Sequence, residues 1–360
     1  MRLGRALFAV LGLMAAAAAT AQEARFFRIA TGTTGGTYFP IGGVIANAIS
    51  SPPGARPCDR GGSCGVPGLI AVAQATSGSL ENIELLRDGR IESGLTQADI
   101  AYFAETATGP YAGQPRFTEL RAIGSLYAEQ MHIVVRRDSG ILGLADLAGK
   151  RVSVGEEGSG TIVEARAILK AAGLDEKADL TPHYLRPGPA ADKLVGGEID
   201  AFFIIGGPPV QAVSQAAARI PVRLLPIEGA AATALVRAQP FLTAAEIPAD
   251  AYPGQDAPTP TVGVVAQWVT TSAVDADLVY AMTRALWNES TARLLSGSHP
   301  QGRNIQLAGA LRGIAIPLHE GARRFYAEQG MSLGPPTGSG SHAATDGERP
   351  AERADGRDVP

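Results

Sequence analysis

Two glycine-rich segments carry the clearest chemical pattern in this chain: Thr31-Gly32-Thr33-Thr34-Gly35-Gly36-Thr37 and Gly155-Glu156-Glu157-Gly158-Ser159-Gly160-Thr161. Each follows a β-favouring run and precedes apolar residues at helical spacing. Glycine lets a backbone turn tightly and brings main-chain N–H groups close to a ligand. The amino end of the following helix adds unsatisfied donors and roughly half a positive charge, a combination that holds a carboxylate or phosphate. Thr34, Thr37, Ser159 and Thr161 add hydroxyls. Facing each other, the two loops would make a cleft for a small anionic solute. Such turns are also common as purely structural features, and Glu156 and Glu157 would repel an anion unless they point outward or meet a ligand ammonium group.

Other chemistries lack their residues. No G-x-x-x-x-G-K-[ST] or G-x-G-x-x-G is present, which argues against nucleotide cofactors. Gly61-Gly62-Ser63-Cys64-Gly65 formally spells G-x-S-x-G, but it lies in a Pro/Gly loop and not at the strand-to-helix turn a nucleophile elbow needs. The histidines, His132, His183, His299, His319 and His342, are scattered and form no metal-ligand spacing. No catalytic residue, metal or other cofactor is therefore expected, and a binding protein is favoured over an enzyme. Among single residues, Tyr38 follows the first loop and could close over a ligand, or pack on its neighbouring helix. Gln97 and Asp99 sit where a strand hands over to a helix, a favoured ligand position in open α/β sheets; Asp99 could equally be an N-cap. Phe203 reads as core or pocket wall.

The elements that must position these residues alternate. Strands are predicted at 26–31, 68–74, 91–95, 152–154, 183–185, 200–205 and 261–269. Helices are predicted after Pro40, from a cap at Ser79, over 99–107, after Gly160, over 189–195, over 274–295 and over 307–329, with a broken helical stretch at 230–247. Residues 120–135 run extended for longer than one strand needs and read as a crossover between lobes. This alternation implies α/β layers with largely parallel sheets.

At the amino end, Arg2 and Arg5 precede an apolar stretch and an Ala19-Thr20-Ala21 exit, the pattern of a cleaved signal peptide over 1–21. Its loss removes two arginines and no acid, moving the formal charge from −4 to −6. A mildly acidic chain of 6% aromatics does not suit nucleic acid, which needs clustered Lys and Arg. Cys58 and Cys64, the two cysteines, lie in a Pro/Gly loop and are expected to form a disulfide in an oxidising compartment. Residues 333–360 are too polar to bury surface and are expected to be disordered.

The ordered set of motifs resembles the TAXI-type receptors, the solute-binding proteins of one class of TRAP transporters. It runs over residues 29–329: Ile29-Ala30-Thr31-Gly32 with Gly35-Gly36-Thr37-Tyr38, Ala73-Gln74-Ala75-Thr76 with Gly78-Ser79 and Glu81-Asn82, and Gln97-Ala98-Asp99. His132-Ile133-Val134-Val135, the run 149–155, Gly158-Ser159-Gly160-Thr161, the run 199–203, Tyr252-Pro253-Gly254-Gln255 and Ile316-Pro317-Leu318-His319 follow. The resemblance implies a type II periplasmic-binding-protein fold of two α/β lobes, with 22–128 and 232–332 in one and 129–231 in the other. It implies a periplasmic receptor, expected to be monomeric, that delivers a small carboxylate such as glutamate, glutamine or a dicarboxylate to a TRAP-type membrane permease. A sensor for a signalling system is the rival reading, and a periplasmic enzyme a remoter one. Carried onto this chain, the ligand residues are Thr34, Gly35, Thr37 and Tyr38 on one wall and Gly158, Ser159, Gly160 and Thr161 on the other, with Asn82, Gln97 and Phe203 as further candidates. The cysteine loop and the polar tail are departures from the family pattern.

Overall fold

A computed structural model describes residues 23–332. The expected signal peptide, 1–21, and the polar tail, 333–360, lie outside these residues. In chain order the main elements are β1 (Arg25–Ala30), α1 (Tyr38–Ile49), β2 (Leu69–Gln74), α2 (Ser79–Arg87), β3 (Ser93–Gln97), α3 (Ala98–Thr106) and β4 (Leu120–Arg136). There follow β5 (Arg151–Ser153), α4 (Thr161–Ala171), β6 (Thr181–His183), α5 (Pro187–Val195), β7 (Ala201–Gly206), α6 (Gln211–Ala217) and β8 (Val222–Leu224). The chain continues through α7 (Gly229–Ala238), β9 (Thr243–Ile247), β10 (Thr259–Thr271), α8 (Ala276–Leu286), α9 (Glu289–Ser298) and α10 (Glu320–Glu328).

All ten of these strands belong to one mixed sheet, in the order β2-β1-β3-β10-β4-β7-β5-β6, with β8 on β4 and β9 on β10. Its ends are parallel: β2-β1-β3 on one side and β7-β5-β6 on the other. Between them β4 and β10 run antiparallel to each other. The first part of β4 pairs only with β10; from Gln130 onward it pairs with β7. One strand thus serves both halves, which accounts for the extended run predicted at 120–135.

Each half has its own apolar packing. Phe27, Ile41, Ile45, Trp268 and Met282 share one core, and Ile133, Val152, Ile168 and Phe203 share another. Residues Leu235, Leu242, Val262 and Val264 pack into the second of these, so α7, β9 and the start of β10 sit with the second half.

Several local expectations change. Ser79 is the first residue of α2 and Gly78 stands at the cap; Asp99 lies in the first turn of α3 and is not its N-cap. The helix expected at 274–295 is two helices, because the Asn288 side chain accepts from Thr291 N at 2.8 Å and starts a new one. Over 307–329 only a short turn and α10 are helical, with α10 capped by His319, which accepts from Gly321 N at 3.1 Å. The second part of 230–247 is a strand, since pairing with β10 overrides its helical spacing.

Candidate functional site

The two glycine-rich loops do lead from strand ends into helix amino termini, α1 with Thr37 at its cap and α4 with Gly160 at its cap. They face each other across one cavity. Thr33, Gly36, Thr37 and Tyr38 line it from the first half, with Ser77, Gly78, Ser79 and Gln97 beside them. Gly155, Glu156, Ser159, Gly160, Thr161, Pro187 and Phe203 line it from the second half, and Glu129 of β4 comes between the two.

The halves touch around this space. Ala212 N donates to Gly35 O at 3.1 Å, Glu81 N to Gly158 O at 3.0 Å and Thr37 Oγ1 to Gly207 O at 3.1 Å. Gly78 adopts φ 124° and its α-carbon faces Ser159 so closely that a Cβ would sit 3.6 Å from the Ser159 Cα. The cleft is closed in this conformation.

Of the sequence-chosen residues, Thr37, Tyr38, Gln97, Ser159, Gly160, Thr161 and Phe203 line the cavity. Thr34 and Gly35 do not; they line a neighbouring depression with Arg186 and Gln211. Gly158 turns its carbonyl to Glu81. Asn82 lies beneath the site: its Nδ2 donates to Thr31 O at 2.6 Å and Leu95 O at 2.7 Å, and its Oδ1 accepts from Thr76 Oγ1 at 2.7 Å. It braces the strand ends and does not reach the cavity.

The hydroxyls are largely engaged already. Ser159 Oγ donates to Glu156 O at 2.7 Å and accepts from Ile162 N at 3.3 Å, which makes it a local cap for α4. Thr161 Oγ1 accepts from Ile205 N at 3.3 Å. Gln97 Nε2 is buried without a close acceptor and has the Glu164 carboxyl as its neighbour, while Gln97 Oε1 accepts from Ser79 Oγ at 3.2 Å. A buried donor of this kind is costly unless a ligand or water meets it.

The acids add what the glycine pattern did not show. Glu129 is 2% exposed, and burial pushes its carboxyl up to about 8 against the opposing hydrogen bond from Tyr38 Oη, 2.8 Å away. Glu156 is also raised by burial, although Arg186 Nε lies 3.1 Å from its carboxylate and acts the other way. The signal for Glu129 was present in the sequence as a lone acid within the long extended run, and the Ser77-Gly78-Ser79 loop was a third glycine turn ahead of a helix. The cavity thus sets helix amino termini and an amide donor opposite carboxyl groups, with Phe203 and Pro187 as apolar walls. That arrangement can hold a small molecule bearing both an acidic and a donor group.

The remaining loop is stapled as expected: Cys58 and Cys64 form a disulfide. Ser63, the centre of the G-x-S-x-G match, donates to Ser50 O within it and stands at no strand-to-helix turn. Among the described residues no helix is long and apolar enough to cross a membrane.

Family comparison decides the lineage, matching residues 29–330 to the NMT1-like family. The chain belongs to the NMT1-like family. Its fold is similar to that of a solved periplasmic transporter, at 15% identity and a TM-score of 0.50, over 84% of this chain and 92% of that one. It is also similar to the alkanesulfonate-binding protein SsuA from Xanthomonas axonopodis pv. citri bound to MOPS, at 18% identity and a TM-score of 0.46, over 85% and 84% of the two chains. The architecture of this NMT1-like protein is that of the periplasmic binding proteins, as expected: an α/β fold whose two halves enclose a cleft.

Proposed function

We propose that this NMT1-like protein is a periplasmic solute-binding receptor of the TAXI type, which captures a small carboxylate and hands it to a TRAP-type permease. The observation that carries the reading is the cavity, where the amino termini of α1 and α4 and the Gln97 side chain share one lining with Glu129. A helix amino terminus suits a carboxylate, and a buried carboxyl such as Glu129, protonated in the cleft without a ligand, gives up its proton to pair with an ammonium. An amino acid of the glutamate or glutamine kind satisfies both sides. Among the sequence-chosen residues, Thr37, Tyr38, Gln97, Ser159, Gly160, Thr161 and Phe203 are the proposed contacts.

The proposed lobes follow the packing of the strands. Of the lobes expected from the sequence, 22–128 with 232–332 and 129–231, the proposal moves 232–264 to the second, because Leu235, Leu242, Val262 and Val264 pack there, with β4 and β10 as the crossovers. Ligand binding closes them by hinge motion and excludes water, and the closed surface is what the permease recognises. A cleaved signal peptide over 1–21 delivers the chain to the periplasm, where it acts as a monomer.

Thermal-shift screening of the mature protein with amino acids, dicarboxylates and sulfonates tests the ligand class. A ligand at 100 times its dissociation constant stabilises by about 2.7 kcal/mol. The compound must be recovered unchanged; turnover would point to an enzyme. Stabilisation by sulfonates alone removes the carboxylate reading, and transport in vesicles with an ABC-type but not a TRAP-type permease removes the proposed partner.

A further inference from the structure

Behind Gln97 the two halves meet through a pair of acids that solute binding does not use. Asp99 lies in the first turn of α3, in the first half, and Glu164 in the first turn of α4, in the second. The helix starts abut: a Cβ at Gly160 would fall 1.3 Å from Gln97 Oε1. Ala98 packs among Ile162 and Ala165, and Val163 packs against the cluster of Ile100 and Ala101. Both carboxyls are 2% exposed. Asp99 Oδ1 and both oxygens of Glu164 are buried without a close hydrogen-bond partner among the described residues. The two carboxyls lie near enough to act on each other, with the Gln97 side chain beside Glu164 and backbone N–H groups of the first turns favouring the charged forms, against burial as the largest influence on both.

Among the described residues no positive side chain acts on the pair. The titratable groups facing the pair are Glu129 of β4, which feels the field of Asp99, and behind it Tyr38 of α1, bonded to Glu129. Gln97 is the neutral neighbour of Glu164. No lysine, arginine or histidine acts on either carboxyl. Two adjacent buried carboxylates cannot both ionise, whereas one proton shared between them leaves a single charge that the two helix amino termini can stabilise.

We propose that Asp99 and Glu164 form a proton-binding site that exists only when the lobes close, so that closure takes up a proton and alkaline conditions favour the open form. It rests on the hinge closure described above and on no particular ligand. In the open form both acids face water and return toward their ordinary values of 3.8 and 4.5; in the closed form burial raises both. Closing therefore binds a proton between the open-state values and the closed-state value; its contribution to closure is full below the former and is lost as pH rises to the latter.

A locked protein tests this directly. A Cβ at Gly35 would lie 3.6 Å from the Cβ of Ala212 in the opposite half, within the range of about 3.5–4.5 Å that a disulfide spans. Gly35→Cys with Ala212→Cys holds the cleft shut, and infrared spectroscopy at about pH 7.5 then counts protonated carboxyls. In the locked protein Glu164→Gln, alone or together with Asp99→Asn, is expected to remove one protonated carboxyl, while Glu129→Gln removes only its own. A protonated-carboxyl signal unchanged by both pair variants overturns the proposal.

Small-angle scattering on the unlocked protein gives a second measurement. The wild type is expected to be more compact at about pH 5 than at about pH 9, and Asp99→Asn with Glu164→Gln to change less between the two, with Glu129 accounting for the remainder; the same change in both proteins overturns the proposal. An equal radius for both proteins at both values overturns the proposal, and neither result bears on whether an amino acid binds.

Discussion

Tyr38 Oη donates a 2.8 Å hydrogen bond to Oε2 of Glu129, a residue 91 positions further along the chain. The first turn of α1 is thereby fastened to the crossover strand at the cavity. The tyrosine that lines the cavity thus also braces the carboxyl that faces it.

This pair makes stability depend on pH. Glu129 keeps its proton up to about 8 in the folded protein, whereas the unfolded chain releases it near the ordinary 4.5. The folded state thus holds more protons between those values, so the contribution is full below 4.5 and is lost as pH rises through 8. Glu129→Gln needs no proton and is expected to gain on the wild type across this window by at most about 1.4 kcal/mol per pH unit. Thermal melts of both proteins at the two ends of the window check it, and parallel profiles would contradict the assignment.

His132 is expected to act in the opposite sense. Tyr252 Oη accepts from Val210 N at 2.8 Å, so its own proton goes to His132 Nε2, also 2.8 Å away; His132 Nδ1 then donates to Gln130 O at 2.9 Å. Burial lowers this imidazole from 6.5 to about 4. Its stabilising contribution is present above 6.5 and lost as pH falls toward 4. Tyr252→Phe leaves Val210 N and His132 Nε2 unpaired and is expected to cost about 1–3 kcal/mol in denaturant unfolding at neutral pH.

Gly160 tests the closed cleft. A methyl group there would overlap Gln97 Oε1 and approach Ser79 Oγ at 3.1 Å, so Gly160→Ala must displace the Gln97 amide from the cavity. The variant is expected to fold and to lose at least about tenfold in affinity for whichever solute the screen identifies, equivalent to about 1.4 kcal/mol. Isothermal titration showing unchanged affinity would remove Gln97 from the site.

The Cys58–Cys64 loop packs near Arg284, Asn288 and Arg293 of α8 and α9, away from the cavity. Its ring spans a sequence separation of six, which limits the entropic gain to about 2 kcal/mol. Replacing both cysteines by serine is expected to lower stability by no more than that and to leave solute affinity unchanged, as chemical denaturation and titration would show.

Much of the framework could be read in advance because its signals are local. Helical spacing after Pro40, glycine turns at strand ends and the long extended run at 120–135 each follow from backbone geometry a few residues at a time. The misread segments are those where distant partners decide. Thr243–Ile247 is a strand because β10 offers it a ladder, and Asn288 divides one predicted helix by capping another. Asn82 looked like a ligand residue by its position in a motif, but it spends its amide on Thr31 O and Leu95 O.

By itself the sequence determined the alternating α/β architecture, the stapled loop and the two glycine-rich helix starts, since turn chemistry and periodicity are written in neighbouring residues. Tertiary structure alone decided which groups the closed cleft buries together. Glu129 reaches the cavity, and Asp99 meets Glu164, only because the crossover strands bring the two halves face to face, and burial, which alters the charge these acids can carry, is a property of that packing and of no single stretch of chain.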